Sequence, residues 1–190
     1  MKKITLFLIL ISLFATMDMA AQWRYGIRVG GEFSRPTYAR DQGHTINGGS
    51  GFAGGLTLEW QLPKSGFALG TAVLYERRNI NEVLEKETVL KYGGDFIAIP
   101  LDIKYKFPLN FLRQLAAFMV ITGPDFGIRL NKGDTSRRFH FGWNVGGGID
   151  VVNFVQIIGG YRFGINDVSY GGLKLKDSGG YIGAIIQFAM

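Results

Sequence analysis

The sequence predicts an all-β protein: an eight-stranded, antiparallel, up-and-down barrel that crosses a membrane. Three observations carry the prediction. Eight segments of about 11–16 residues alternate apolar and polar side chains, the period of an extended strand and long enough to cross a bilayer at a tilt. The gaps between them alternate between short and long. Charged residues gather on one face of these segments, while aromatic residues gather near both ends of the other.

The elements follow in order. Lys2 and Lys3 precede the apolar run Ile4–Phe14, and Ala20–Ala21 supplies small residues before Gln22. This is the pattern of a secretory signal peptide over residues 1–21, with an apolar run too short to span a bilayer. The barrel domain is then expected over residues 22–190, where no run approaches the roughly 18 apolar residues of a spanning helix.

In Gln22–Ser34, Trp23, Tyr25, Ile27, Val29 and Phe33 oppose Arg24, Arg28 and Glu32. Gly51–Leu62 sets Phe52, Leu56, Leu58 and Trp60 against Ala53, Thr57 and Glu59, and Phe67–Arg77 sets Phe67, Leu69, Val73 and Tyr75 against Ala68, Ala72 and Glu76. Asp95–Phe107 places Ile97, Ile99, Leu101, Ile103, Tyr105 and Phe107 opposite Asp102, Lys104 and Lys106. Leu115–Leu130 is less regular: Phe118, Val120, Phe126, Ile128 and Leu130 face Met119, Ile121, Asp125 and Arg129, and Pro124 interrupts. Phe139–Val151 sets Phe141, Trp143 and Val145 against His140, Asn144 and Asp150. Val155–Asn166 sets Ile157, Tyr161 and Phe163 against Gln156 and Arg162, and Gly179–Met190 sets Ile182, Ile186 and Phe188 against Tyr181, Gly183 and Gln187.

Between these strands, Pro63–Gly66, Pro108–Gln114 and Val152–Phe154 are short turns, expected on the periplasmic side. Ser34–Ser50, Arg78–Gly94, Asn131–Arg138 and Asp167–Ser178 are expected to be long extracellular loops, and Asn81–Leu90 is compatible with a helical turn. An even strand number returns both termini to the periplasmic side.

Charge sorting decides what each face meets. The polar faces carry Arg24, Arg28, Lys104, Lys106, Arg129 and Arg162 together with Glu32, Glu59, Glu76, Asp102, Asp125 and Asp150. The apolar faces carry Arg77 and Asp95, both at strand ends beside long loops. Two aromatic groups flanking an aliphatic band match the two interfaces of a bilayer, so the apolar face is assigned to lipid. An eight-stranded barrel is just wide enough to be filled by its own side chains. The twelve charges are therefore expected to pair as a salt-bridged plug, because unpaired buried charges cost several kcal/mol each. A narrow passive pore is the alternative.

Composition narrows the chemistry. The absence of cysteine excludes disulfides, thiolate metal sites and a cysteine nucleophile. A net charge of +6, without a basic helix or basic-aromatic sheet motif, gives no nucleic-acid signal. His44 and His140 are the sole histidines, and neither forms a serine–histidine–carboxylate or metal pattern, so neither enzymatic activity nor a cofactor is expected. Lys132, Arg137, Arg138, Lys174 and Lys176 make the outer loops basic, a rim suited to the phosphates of lipopolysaccharide.

The stretches FIAIPLDIKYKF (Phe96–Phe107), ITGPDFG (Ile121–Gly127), FHFGWNVGGGID (Phe139–Asp150) and YRFGIND (Tyr161–Asp167) resemble the PorT-like family of small outer-membrane β-barrels of Bacteroidetes. That resemblance, spanning the whole mature chain, implies an OmpA/OmpX-like architecture in the outer membrane of a Gram-negative bacterium. Tyr181, Gly183, Ile186 and Phe188 resemble the C-terminal assembly signal of such proteins, though Ala189 and Met190 follow the aromatic residue. The signal implies the barrel assembly machinery as a partner. An ordinary lipid-facing strand has the same pattern. A monomer is expected, with two function classes open: a structural or surface-interaction barrel, and an accessory of an envelope secretion system.

Overall fold

The structure is a computed structural model that describes residues 22–38, 45–63, 65–84, 87–91, 94–108, 116–131, 138–152, 154–167 and 175–189. The segment expected to be a signal peptide lies outside them. The described strands are β1 (Gln22–Ser34), β2 (Thr37–Tyr38), β3 (Thr45–Gly48), β4 (Ser50–Gln61), β5 (Phe67–Arg78), β6 (Ile80–Leu84), β7 (Glu87–Lys91), β8 (Gly94–Pro108), β9 (Ala116–Arg129), β10 (Phe139–Val151), β11 (Val155–Gly164), β12 (Leu175–Lys176) and β13 (Gly179–Ala189). Eight of them close into one antiparallel barrel in the order β1-β13-β11-β10-β9-β8-β5-β4. Every barrel strand pairs with its neighbours in sequence except at the seam, where β1 meets β13 from Arg24↔Ala189 to Ser34↔Gly179. Closure leaves no unpaired edge among the spanning strands, which a bilayer requires because lipid offers no partner for backbone polar groups.

The period-2 pattern becomes two faces. Ile27, Val29, Leu56, Val73, Val120, Ile157 and Ile182 are exposed on the outside, while Arg24, Arg28, Glu32, Glu59 and Glu76 are buried within. Aromatic rings close each end of the outer band. At one end Trp23 stacks on Trp60, Tyr25 packs on Phe188, and Phe67, Tyr105 and Phe107 form edge contacts. At the other, Phe52 packs on Tyr75, Phe126 on Phe141 and Tyr161 on Phe163. These pairs, most of them across strands and two along β8 and β11, place aromatic rings at the two interface levels.

Three sequence expectations change. First, β9 runs unbroken through Pro124. The β8–β9 ladder is recorded at Pro100↔Asp125 and resumes at Ile103↔Thr122, so the missing proline N–H falls in a gap between ladder pairs. Second, Asn81–Leu90 is not a helical turn: β6 and β7 form a hairpin whose first strand also pairs with β3, from Thr45↔Val83 to Gly48↔Ile80. Pairing with β3 gives this segment backbone partners that its local sequence does not reveal. Third, the long loops Ser34–Ser50 and Asp167–Ser178 are partly ordered as sheet as well. β2 and β12 pair in the register of β1 and β13, extending the seam beyond Arg35, whose N–H donates to the Ser178 carbonyl at 2.6 Å.

Two local features set the interior shape. Gly146 and Gly160 face each other across β10 and β11, and a Cβ at either position would lie 2.7 Å from the Tyr181 hydroxyl. Their missing side chains seat the Tyr181 ring in the lumen. The turn after β10 holds Val152 at φ 53°. A β-branched residue in that region costs about 1–2 kcal/mol, which the flanking strands must offset.

Candidate functional site

Inward residues build a lumen in layers. At the end where β1 begins, Glu59 on β4 accepts from Lys104 at 2.7 Å and from Lys106 at 2.6 Å, both on β8. Lys106 also reaches Asp150 on β10 at 2.7 Å, and Arg24 lies 3.6 Å from the same carboxylate. Gln156 stitches this layer together: its Oε1 accepts from Lys104 at 3.1 Å, while its Nε2 donates to Gln187 at 2.9 Å and Asp150 at 3.2 Å. Lys104 and Lys106 stand two residues apart on one strand, so both ammonium groups project inward toward one carboxylate.

Further along the same strands the lining turns apolar. Met119, Ile121, Ile158, Tyr181 and Ile185 form one buried cluster, and Ala72, Leu74 and Ala98 form another on β5 and β8. On β11 the order is Gln156, Ile158, Gly160, Arg162, so this belt separates two polar layers. Arg28 places its guanidinium 5.3 Å from the centre of the Tyr181 ring. Asp102 faces the same region, within the electrostatic reach of Lys104 and Arg28.

The layer at the opposite end is organised by Arg78, the last residue of β5, which is fully buried. It donates to Glu76 at 2.5 Å and to Asp177 at 2.7 Å, lies 3.6 Å from Asp125, and sits 4.6 Å over the Phe96 ring. Arg162 lies 3.3 Å from Glu76, 3.4 Å from Glu32 and 3.8 Å from Asp125. His140 is buried between Asp177 at 3.7 Å and Asp125 at 3.9 Å. The Arg78 and Arg162 guanidiniums act on it as well as these carboxylates, so it is a polar neighbour of the ionic network. Arg129 lies buried at the rim, its guanidinium under Gly94, where a Cβ would come within 2.9 Å of Nε.

Asp177 lies outside the spanning strands, between β12 and β13, and so ties the connection between them to the lumen. Burial alone would raise its carboxyl, but the Arg78 guanidinium more than offsets this and holds it at about 2. A depressed folded-state pKa adds stability that is complete above the ordinary 3.8 and is lost as pH falls through about 2. Asp177→Asn is therefore expected to lower the denaturant midpoint in detergent equally at about pH 7 and about pH 5, with the deficit shrinking below about pH 4. A deficit that persists unchanged at about pH 2 would contradict this tie.

All twelve charges expected inside face the lumen, eleven of them buried and Asp102 half-buried. Arg78, Asp177, Gln156 and Gln187 were not among the expected network residues. Continuing the alternation of Ala72, Leu74 and Glu76 by one step would have found Arg78. Of the basic loop residues, Arg138 and Lys176 are exposed, and Lys132, Arg137 and Lys174 lie outside the described residues. Tyr181 and Gly183 face inward, whereas Ile186 and Phe188 face outward.

Residues 6–153 match a family described as the outer membrane protein beta-barrel domain. Among solved structures, the chain is similar to the outer membrane protein OprG from Pseudomonas aeruginosa, at 11% identity and a TM-score of 0.62, covering 89% of this chain and 96% of that one. Neisserial surface protein A (NspA) aligns at 13% identity and a TM-score of 0.49, over 88% and 97% of the two chains. Ail, the attachment invasion locus protein of Yersinia pestis, aligns at 18% identity and a TM-score of 0.46, over 87% and 98%. The likeness to OprG shows a shared barrel fold. No curated protein sequence matches.

Proposed function

The chain belongs to the outer membrane protein beta-barrel domain family and resides in the outer membrane, and from that premise we propose that it is a sealed barrel acting through its extracellular rim. The observation that supports this reading is the layering of the lumen, with two ionic layers and an apolar belt between them. An ion entering would exchange its hydration for a narrow lumen whose middle is lined by Met119, Ile121, Ile158 and Ile185, with Arg28 and Asp102 beside them, a barrier of several kcal/mol. The rigid wall would then serve to hold the outer connections, including the sheet of β3, β6 and β7, in fixed positions for surface contacts. Export through a signal peptide over residues 1–21 belongs to the same reading, with Gln22 the expected first residue of protein isolated from membranes.

Purified protein in planar bilayers is expected to show no steady unitary conductance. Regular current steps would instead support the passive-pore reading. Deletion of the β6–β7 hairpin should abolish surface binding while leaving secretion intact. If secretion fails instead and the barrel co-purifies with envelope secretion components, the accessory reading replaces this one.

A further inference from the structure

The outer wall carries a groove that the sealed-lumen reading does not use. On three neighbouring strands, Phe33 of β1, Gly180 of β13 and Tyr161 of β11 lie side by side on the lipid-facing surface. Glycine presents no side chain, so the two rings stand as walls on either side of a notch. Ser34, Arg35 and the segment Gly48–Ser50 complete a groove of about 450 Å³. Phe33 and Tyr161 belong to the outer aromatic end of the barrel, which places the notch at the junction of acyl chains and headgroups.

Charge stands directly above it. Arg35 is exposed two residues beyond Phe33 on the same face of the chain. The continued register brings Lys176 of β12 opposite Thr37 and so diagonal to Arg35, also exposed. A lone anion would need the two cations and not the apolar slot below them. An acyl chain alone would need the slot and not the cations. We propose that this groove binds a phosphorylated lipid of the outer leaflet, of the lipid A class, with an acyl chain lying on Gly180 between Phe33 and Tyr161 and a phosphate held by Arg35 and Lys176. The guanidinium fork of Arg35 matches two phosphate oxygens, and Lys176 supplies a second point charge. The site lies on the outside of the wall and does not depend on whether the lumen conducts.

The test is binding of fluorescent bis-phosphorylated lipid A to the folded protein in detergent micelles, with dephosphorylated lipid A and inorganic phosphate as companion probes. Reversing both charges in R35E/K176E should weaken lipid A binding by about tenfold or more, given the contribution of each cation near a lipid surface. The same variant should leave binding of dephosphorylated lipid A unchanged. Gly180→Leu fills the notch, and a Cβ there comes no closer than 3.7 Å to the Gly160 carbonyl, so the wall accommodates it. It should weaken both lipids alike. R77E, on the outer face of β5 away from the groove, should bind as the unmodified protein does. Heat-modifiable gel migration checks that each variant is folded. Undiminished binding by R35E/K176E would overturn the proposal. So would an equal loss in R77E, which would mean diffuse surface charge, or displacement of lipid A by inorganic phosphate at equal concentration, which would mean a free-anion site.

Discussion

Arg78→Met is expected to be the most damaging single substitution in this barrel. Methionine retains much of the side-chain volume but leaves Glu76 and Asp177 without their shortest ion pairs and removes a charge 3.6 Å from Asp125. Removing one partner of a buried ionic network costs about 3–5 kcal/mol, because the remaining charges stay desolvated. Arg77→Met is the matched control, since Arg77 is exposed on the outer face one residue away. Guanidinium unfolding in micelles should show a large fall in midpoint for Arg78→Met and little change for Arg77→Met. Neutralising the orphaned carboxylates in the triple variant E76Q/R78M/D177N should recover more than half of the loss, as expected when the cost is uncompensated charge and not lost packing. Equal midpoints for the two single variants would show that Arg78 does not organise the outer layer.

Glu59→Ala is the counterpart at the other end. Glu59 is the shared acceptor of Lys104 and Lys106, and Gln156 also donates to it, at 3.2 Å. Its removal leaves two ammonium groups facing each other, with Lys106 still held by Asp150. The expected cost is about 3 kcal/mol, at the low end for a broken buried pair because that second carboxylate remains. A nearby optical reporter exists: Trp60 follows Glu59 in the chain and stacks on Trp23, with ring centres 6.0 Å apart. The near-ultraviolet circular dichroism of this pair should weaken in Glu59→Ala at denaturant concentrations where the unmodified barrel is intact. E59A/K104M, which removes one lysine along with its acceptor, should be more stable than Glu59→Ala alone. If the double variant is the less stable of the two, the lysines are not the source of the cost.

The wall was legible in the sequence because a strand that meets lipid on one side and a packed lumen on the other can hardly hide its period. The limits of β1 match Gln22–Ser34, and even the irregular Leu115–Leu130 segment gave the inward phase of Met119, Ile121, Asp125 and Arg129 found in β9. Pro124 misled because a proline signals a break only where its N–H is needed, and ladder spacing is not written in local sequence. Arg78 was missed by one step of alternation, having been assigned to a loop. Asp177 was beyond reach for a different reason. Its inward position follows from the seam register running on through β2 and β12, a relation between residues at opposite ends of the chain. The charge pairs themselves, such as Lys106 with both Glu59 and Asp150, depend on which strands stand across the lumen, and one sequence does not reveal that.

The seam also has a kinetic meaning. Pairing Arg24 with Ala189 nearly joins the two ends of the described residues, so the contact that closes the cylinder has the largest loop-closure cost of any strand pairing among them. β1 emerges first yet must wait for β13, carrying an open edge that any other extended chain could occupy. Of the seven other strand junctions, four (β4–β5, β8–β9, β9–β10 and β10–β11) link strands with no other described strand between them, and these can zip as hairpins. Folding speed should therefore be governed by the meeting of the two chain ends. Substitutions along β1 and β13 should slow closure more than equally destabilising ones in the β9–β10 hairpin, and a catalyst that holds the first strand until the last arrives would act on the slowest step.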